Sequence, residues 1–320
     1  MTYIADESSS ASMLECMMLI RAYEEKAAAL QAEGNMAGTC TAVGQEASAV
    51  GVVRALRQAD RILTNHRSAG HLLARGADAG RMMAEVMGRS TGYCKGKSGS
   101  LHISARELGV VLTSTIVGGE LSLATGIALS TKMLKQDGIV ACFFGDGAAC
   151  EGIFHESLNL ASVWDLPILY VCENNQWQAY VHRKETMRTD HVSTWAKGYG
   201  MASRTVDGND VEAVHAAAVE AVAHIRETGK PYFLETYTYR LRGHFEPDDQ
   251  SYVDAQELAS WKARDPIDQA RERLLANGTL TAGRLEEMEA RVRGEVERAV
   301  AFALASPFPA HSELTTDVYA

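Results

Sequence analysis

The sequence predicts an α/β fold, a parallel sheet flanked by helices on both faces, and three observations carry the prediction. Two runs, Ile139-Val140-Ala141-Cys142-Phe143-Phe144 and Pro167-Ile168-Leu169-Tyr170-Val171-Cys172, are almost continuously apolar, the pattern of strands buried on both faces. Segments around them repeat their apolar residues every three or four positions, which marks helices. Strands then alternate with helices along the chain, and that order builds a parallel sheet covered on both sides.

From the amino end, Met13, Met17, Ile20, Tyr23, Ala27 and Leu30 follow helical spacing, and Gly34 offers the stop. A second helix is expected over 46–57, a short strand over 61–64, and further helices near 78–88 and 119–135. A helical stretch after the first apolar run continues to about residue 163, where the second run takes over. Asp210 caps a helix over 211–227, and a strand follows over 232–239. The last 40 residues look helical, with Leu285, Met288, Val292 and Val296 forming an apolar stripe. With no repeat, low-complexity stretch or Pro/Ser linker, the expectation is one domain over 1–320 with helical extensions at both ends.

Composition narrows the function. Lys and Arg number 31 against 41 Asp and Glu, a net charge of −10, which argues against nucleic acid or an anionic membrane as the main partner. No apolar run approaches the ~20 residues of a membrane helix. The start, Met1-Thr2-Tyr3-Ile4-Ala5-Asp6-Glu7, is acidic and carries neither an apolar signal core nor an Arg-rich transit pattern, so a cytoplasmic location is expected. The cysteines, Cys16, Cys40, Cys94, Cys142, Cys150 and Cys172, form no C-x-x-C pair, so neither a disulfide framework nor a zinc site is expected.

In open parallel sheets ligands bind beyond the carboxyl ends of the strands. The first apolar run ends in Gly145-Asp146-Gly147 and the second in Glu173-Asn174-Asn175. One crossover helix separates them, so both tips should emerge at the same edge. Glycines around Asp146 permit a tight turn and let a bulky ligand approach the backbone. Asp146 offers a carboxylate oxygen and Asn175 an amide oxygen. Both are hard donors of the kind Mg²⁺ takes while phosphate and water supply the rest. A helix amino end after the glycine turn would face a phosphate. Gly-Asp-Gly alone is a common turn, and so is Asn-Asn. Their joint occurrence after two strands is far more specific, and it reads as a diphosphate–Mg²⁺ site.

Gly145-Asp146-Gly147, twenty-six residues, then Asn174-Asn175 resembles the thiamine diphosphate motif. The surrounding GDGAACEGIFHESLNLASVWDLPILYVCENN resembles the alpha subunit of the dehydrogenase (first) component of 2-oxo acid and acetoin dehydrogenase complexes. Nearly the whole chain takes part in the resemblance. Gly44-Gln45-Glu46-Ala47, His66-Arg67, the stretch Cys94 to His102, Ile116-Val117-Gly118 and Gly243-His244-Phe245-Glu246 fall in the family's order. His66-Arg67 and Gly-His-Phe-Glu lean towards the acetoin type. The resemblance implies the thiamine diphosphate-binding fold, in its diphosphate-binding form, and a role for each matching residue. Asp146, Asn175 and the backbone carbonyl of Trp177 would ligate Mg²⁺. The backbones of Gly147 and Ala148, with His66, Arg67 and Arg240, would meet the diphosphate. The backbone of Val117 would meet the aminopyrimidine, and His244 would hang over the thiazolium and substrate as the catalytic residue. Lys95 to Ser100 would form part of the rim. The glutamate that activates the aminopyrimidine would come from a separate beta subunit, in a heterotetramer of two alpha and two beta chains. A lipoyl-bearing acyltransferase would take the acyl group.

Two departures stand out. Cys40 aligns where most relatives place a substrate-pocket histidine, which puts both pyruvate and acetoin in doubt. Phe245 follows His244 where mitochondrial members carry a phosphorylatable serine, so that switch is absent. A transketolase-type amino-terminal half and a cofactor-holding subunit without its own turnover are rival readings. A NAD-binding Rossmann enzyme would need Gly-x-Gly-x-x-Gly after the first strand, and no such run exists.

Overall fold

Burial of the two apolar runs organises the molecule. A computed structural model describes residues 8–318; the acidic start read above for targeting signals lies outside the described residues.

The chain opens with α1 (Ser10–Ala32), capped by the Ser9 hydroxyl, and its apolar row Met13, Met17, Ile20, Tyr23, Ala27 and Leu30 is buried as the spacing predicts. Then follow α2 (Glu46–Val53), β1 (Arg61–Asn65), α3 (Ala69–Ala74), α4 (Ala79–Val86), β2 (Val110–Ser114), α5 (Gly119–Met133) and β3 (Val140–Gly145). The centre holds α6 (Asp146–Ala149), α7 (Gly152–Val163), β4 (Ile168–Asn174), the small hairpin of β5 (Trp177–Gln178) and β6 (Val181–His182), α8 (Arg183–Thr186) and α9 (Ser193–Ala196). The carboxyl third is β7 (Ala202–Asp207), α10 (Val211–Thr228), β8 (Tyr232–Tyr237), α11 (Ala255–Lys262), α12 (Pro266–Ala276) and α13 (Ala282–Ala305).

Several boundaries differ from the sequence reading. α2 stops at Val53 rather than at 57 because buried Asp60 gathers the connection: its carboxylate accepts from the amides of Arg57 (2.7 Å) and Ile139 (2.9 Å) and pairs with Arg226 (2.6 Å). The stretch expected to run unbroken to residue 163 is two helices, since Glu151 is extended at ψ 146°. β8 ends at Tyr237, two residues before the expected 239. The carboxyl end is α-helical only to Ala305, and a 3₁₀ turn at His311–Thr315 follows. The strands β2 and β7, the hairpin, and helices α3, α8, α9, α11 and α12 were not expected.

All six strands of the main sheet are parallel, in the order β2-β1-β3-β4-β8-β7. Alternate residues of β3 face opposite layers. Ala141 and Phe143 pack under α1, α2, α4, α10 and α13, whereas Val140, Cys142 and Phe144 pack under α5, α7 and α9. Helices therefore cover both faces, as predicted. The chain passes from β1 outward to β2 and returns to β3 on the other side of β1. That reversal creates a crevice at the carboxyl ends of β1 and β3, where such sheets bind ligands.

Candidate active site

The registers of the central strands set the site's geometry. Gly145, the last residue of β3, lies opposite Glu173 in β4, so Asp146 and Asn175 leave the sheet side by side. The Asn175 amide donates to Asp146 Oδ1 at 3.3 Å. Asn175 is held at both ends of its own side chain: Nδ2 donates to Gln45 Oε1 (3.0 Å), and Oδ1 accepts from the Trp177 amide (3.1 Å). Gln176 between them takes φ +73°, a left-handed conformation uncommon outside glycine, and it folds the chain back at the strand tip.

These groups border a cleft of about 310 Å³ at the sheet edge. His66, Arg67, Val117, Gly147, Ala148, Asn175, Trp177, Arg240 and His244 all line it, so the sequence-predicted site residues converge from β1, the turn before α5, the β3 and β4 tips and the segment after β8. Asp146 is fully buried between Gly145 and Gly147, which flank the wall. Its Oδ2 is buried without a hydrogen-bond partner. Burial pushes the carboxyl up to about 6, against the lowering effect of the amides that bond it. An orphaned carboxylate oxygen is costly, and a cation would satisfy it. Among the described residues no group of three or more His, Cys, Asp or Glu is placed to hold a metal ion. One carboxylate, one amide and nearby backbone carbonyls are the sparse oxygen set that suits Mg²⁺ carried in with a phosphate. The amides of Gly147 and Ala148 lie in the first turn of α6, where helices leave N–H groups unpaired. A Cβ on Gly147 would sit 3.4 Å from the Gln178 side chain.

Two buried guanidiniums stand over this floor. Arg67 donates to the carbonyls of Thr41 (2.6 Å) and His244 (2.8 Å), and to His244 Nδ1 at 3.1 Å. Arg240 donates to the Ala179 carbonyl and the Tyr252 hydroxyl, both at 2.9 Å. Burial and the charge of Arg240 bring Arg67 down to about 10, and burial lowers Arg240 too; both remain charged at neutral pH. Burial, then these cations, pulls His244 down to about 4. Burial, then Arg67 and His244, pulls His66 down to about 3. Both imidazoles are therefore neutral, their rings 5.8 Å apart edge to face. Arginine can only donate, so His244 Nδ1 accepts, and this network places the ring proton on Nε2.

The cleft also contains residues to which sequence reasoning gave no role. Gln45 lies in the quoted Gly-Gln-Glu-Ala run, and its function as the clamp on Asn175 appears only once α2 meets β4. Glu173, on the β4 tip, accepts from Ser48 and His71, both at 3.1 Å. Glu120, in the first turn of α5, is buried with Oε2 unpartnered, and burial pushes its carboxyl up to about 8. No spacing rule marks either acid. Cys40 and Ser100 lie beside the cleft, around a small chamber that shares His66 as a wall.

A parallel sheet with a cleft at its switch point, lined by two buried arginines and by backbone at strand tips, is the architecture of α/β proteins that bind phosphorylated cofactors. The chain belongs to the dehydrogenase E1 component family, whose profile matches residues 15–312. It is 41% identical to the alpha subunit of acetoin:2,6-dichlorophenolindophenol oxidoreductase of Bacillus subtilis, over 98% of this chain and 94% of that one. It is 39% identical to the pyruvate dehydrogenase E1 component subunit alpha of Rhizobium meliloti, over 94% of this chain and 87% of that one. A second acetoin:2,6-dichlorophenolindophenol oxidoreductase alpha subunit, from Cupriavidus necator, is 36% identical over 98% of this chain and 95% of its own length. The expected kinship with dehydrogenase alpha subunits is borne out. The family implies thiamine diphosphate as cofactor, and the alpha designation of the relatives implies a beta-subunit partner. No helix among the described residues is long and apolar enough to cross a membrane.

Proposed function

We propose that this chain is the alpha subunit of a thiamine diphosphate- and Mg²⁺-dependent dehydrogenase that cleaves or decarboxylates acetoin or a 2-oxo acid. In this reading the whole chain is one diphosphate-binding domain with helical extensions. It pairs with beta chains in a heterotetramer of two alpha and two beta chains in the cytoplasm, and it passes the acyl group to a lipoyl-bearing acyltransferase. The observation that carries the reading is the buried, unpartnered Oδ2 of Asp146 beside Asn175, which lines a cleft together with Arg67 and Arg240.

Asp146 and Asn175, with the Trp177 carbonyl, would hold Mg²⁺. The amides of Gly147 and Ala148, with His66, would orient the diphosphate, Arg67 and Arg240 would neutralise it, and the Val117 backbone would meet the aminopyrimidine. Thiamine diphosphate, when bound, supplies a carbanion that adds to a carbonyl and then acts as an electron sink. The protein's share is placement and proton control. Arg67 fixes the tautomer of His244, so Nε2–H is available as a hydrogen-bond donor to an oxygen that gains negative charge. The neutral rings of His66 and His244 leave Arg67 and Arg240 as the cations that meet the phosphate charge.

The test is reconstitution. This chain, co-expressed with a beta chain and given thiamine diphosphate and Mg²⁺, should reduce an artificial electron acceptor with acetoin or a 2-oxo acid. The chain alone should not. Robust turnover by the chain alone, or none by the pair with any of these substrates, overturns the proposal.

A further inference from the structure

The loop over residues 94–102 is tied down from one side by a single acid. Glu85 in α4 is fully buried. Its carboxylate accepts from the amides of Cys94 (2.7 Å), Gly96 (3.0 Å) and Ser98 (2.8 Å), and from the Ser98 hydroxyl (2.8 Å). Winding the backbone around one carboxylate puts Lys95 at φ +59°, a left-handed conformation uncommon for a residue with a side chain.

From the other side the loop is held by the carboxyl-terminal segment. Lys95 Nζ lies 2.9 Å from Asp317 and 3.5 Å from Glu313. Lys97 Nζ lies 2.8 Å from Asp317 and 2.9 Å from Glu313, and it donates to the Thr316 hydroxyl at 2.7 Å. One exposed pair of this kind contributes little. Here two cations share two anions, and the segment is fastened again upstream. The Pro307 carbonyl accepts from the Ser90 amide (2.9 Å), the Thr91 hydroxyl donates to the Ser306 hydroxyl (2.7 Å), and the Arg89 guanidinium lies 3.8 Å over the Phe308 ring.

The loop in turn braces segments on two sides of the cleft. Ser100 Oγ donates to the Gly38 carbonyl at 3.5 Å, and the neighbouring Thr39 carbonyl accepts from the Glu246 amide at 2.9 Å, two residues beyond His244. At the far end Thr113 Oγ1 donates to the Ile103 carbonyl at 2.8 Å. Thr115 Oγ1 bonds His102 Nε2 at 3.4 Å, two residues before Val117.

We propose that residues 306–317 are an electrostatic strap that holds the loop over 94–102 as a buttress between the His244 segment and the Val117 turn, so that loosening the strap speeds the escape of the cofactor. The strap itself stands apart from the thiamine-dependent reading; only its effect on cofactor release rests on that reading.

The experiment uses the reconstituted alpha–beta assembly, in the wild type and in the double variant Glu313→Gln, Asp317→Asn, whose altered side chains are 30% and 55% exposed. Amide hydrogen exchange over residues 93–103 reads loop opening, and the dissociation rate of thiamine diphosphate reads the cleft. The variant should exchange roughly three- to tenfold faster in the loop, the worth of a small set of exposed pairs, with exchange in β3 unchanged. Salt at about 1 M, where the Debye length is ~3 Å, should speed the wild-type loop towards the variant and leave the variant within about twofold. Cofactor release from the variant should quicken by a similar factor. Loop exchange that is the same in the two proteins overturns the strap. Faster exchange with an unchanged cofactor release rate overturns its action on the cleft. A wild-type assembly that binds no thiamine diphosphate defeats the proposed function instead, and the exchange measurement still decides the strap.

Discussion

His244 shows how far one side chain's chemistry depends on its neighbours. An unconstrained imidazole near neutral pH would be a mixture of charge states and tautomers. Here burial and two guanidiniums keep it neutral, and Arg67 at 3.1 Å from Nδ1 selects the Nε2–H form. Replacing His244 with Ala should therefore lower kcat by about a hundredfold or more, in the range of a lost proton-transfer group, while cofactor affinity by calorimetry stays within a few-fold. A kcat within a few-fold of wild type would remove His244 from the chemistry. The buried acids make a second prediction. Glu24 and Glu120 both rise from 4.5 to about 8 in the folded chain, so the folded state binds more protons than the unfolded state between those values. Stability is fully present below 4.5 and is lost as pH rises through 8. The opposing effect of His66 and His244, lowered from 6.5, is confined below that value. Between pH 7 and 8.5 the melting temperature should fall, and Glu24→Gln should flatten the fall. A profile that rises over this window in both proteins would contradict the assignment.

Helix α2 owes its place to a missing side chain. It packs on α10 at Gly51, where a Cβ would lie 2.6 Å from Val214 Cγ1, 2.8 Å from Val214 Cβ and 3.0 Å from the His215 backbone nitrogen. Gly51→Ala must push the helices apart, and overpacking of this kind costs ~1–3 kcal/mol. A lower melting temperature, with Gln45 displaced and cofactor affinity weakened, is the expected outcome; an unchanged melting temperature would show that α10 yields freely. The elements legible in the sequence were those whose burial is recorded locally. β3 as far as Phe144 and β4 as far as Cys172 are apolar because they are covered on both faces, and α1 is recognisable by its spaced row. β7 was missed because it is a half-exposed edge strand, and β2 because residues 111 and 112 are not fully buried. The site divides in the same way. Asp146 and Asn175 sit directly after strands and were legible. Glu120, Glu173 and the Gln45 clamp acquire their roles only when distant segments meet.

On the scale of the whole molecule, the site is one-sided. Arg67, Arg240, Asp146 and Asn175 come from this chain, yet Ile116 and Val117 on the cleft rim are 70% and 54% exposed. Exposed apolar residues continue along α5 and α7 at Leu123, Met133, Leu134, Val163 and Trp164. Apolar surface of this kind is what contacts between chains cover, and the alpha designation of the relatives implies a beta-subunit partner. The central claim, however, is local to this chain: its cleft binds a diphosphate through a cation held at Asp146. Calorimetric titration of the alpha–beta assembly with thiamine diphosphate in Mg²⁺, for wild type and Asp146→Ala, tests it most directly. The account predicts saturable, Mg²⁺-dependent binding by the wild type and none measurable by the variant. Cofactor affinity unchanged by the substitution, in an assembly that remains folded, would contradict it.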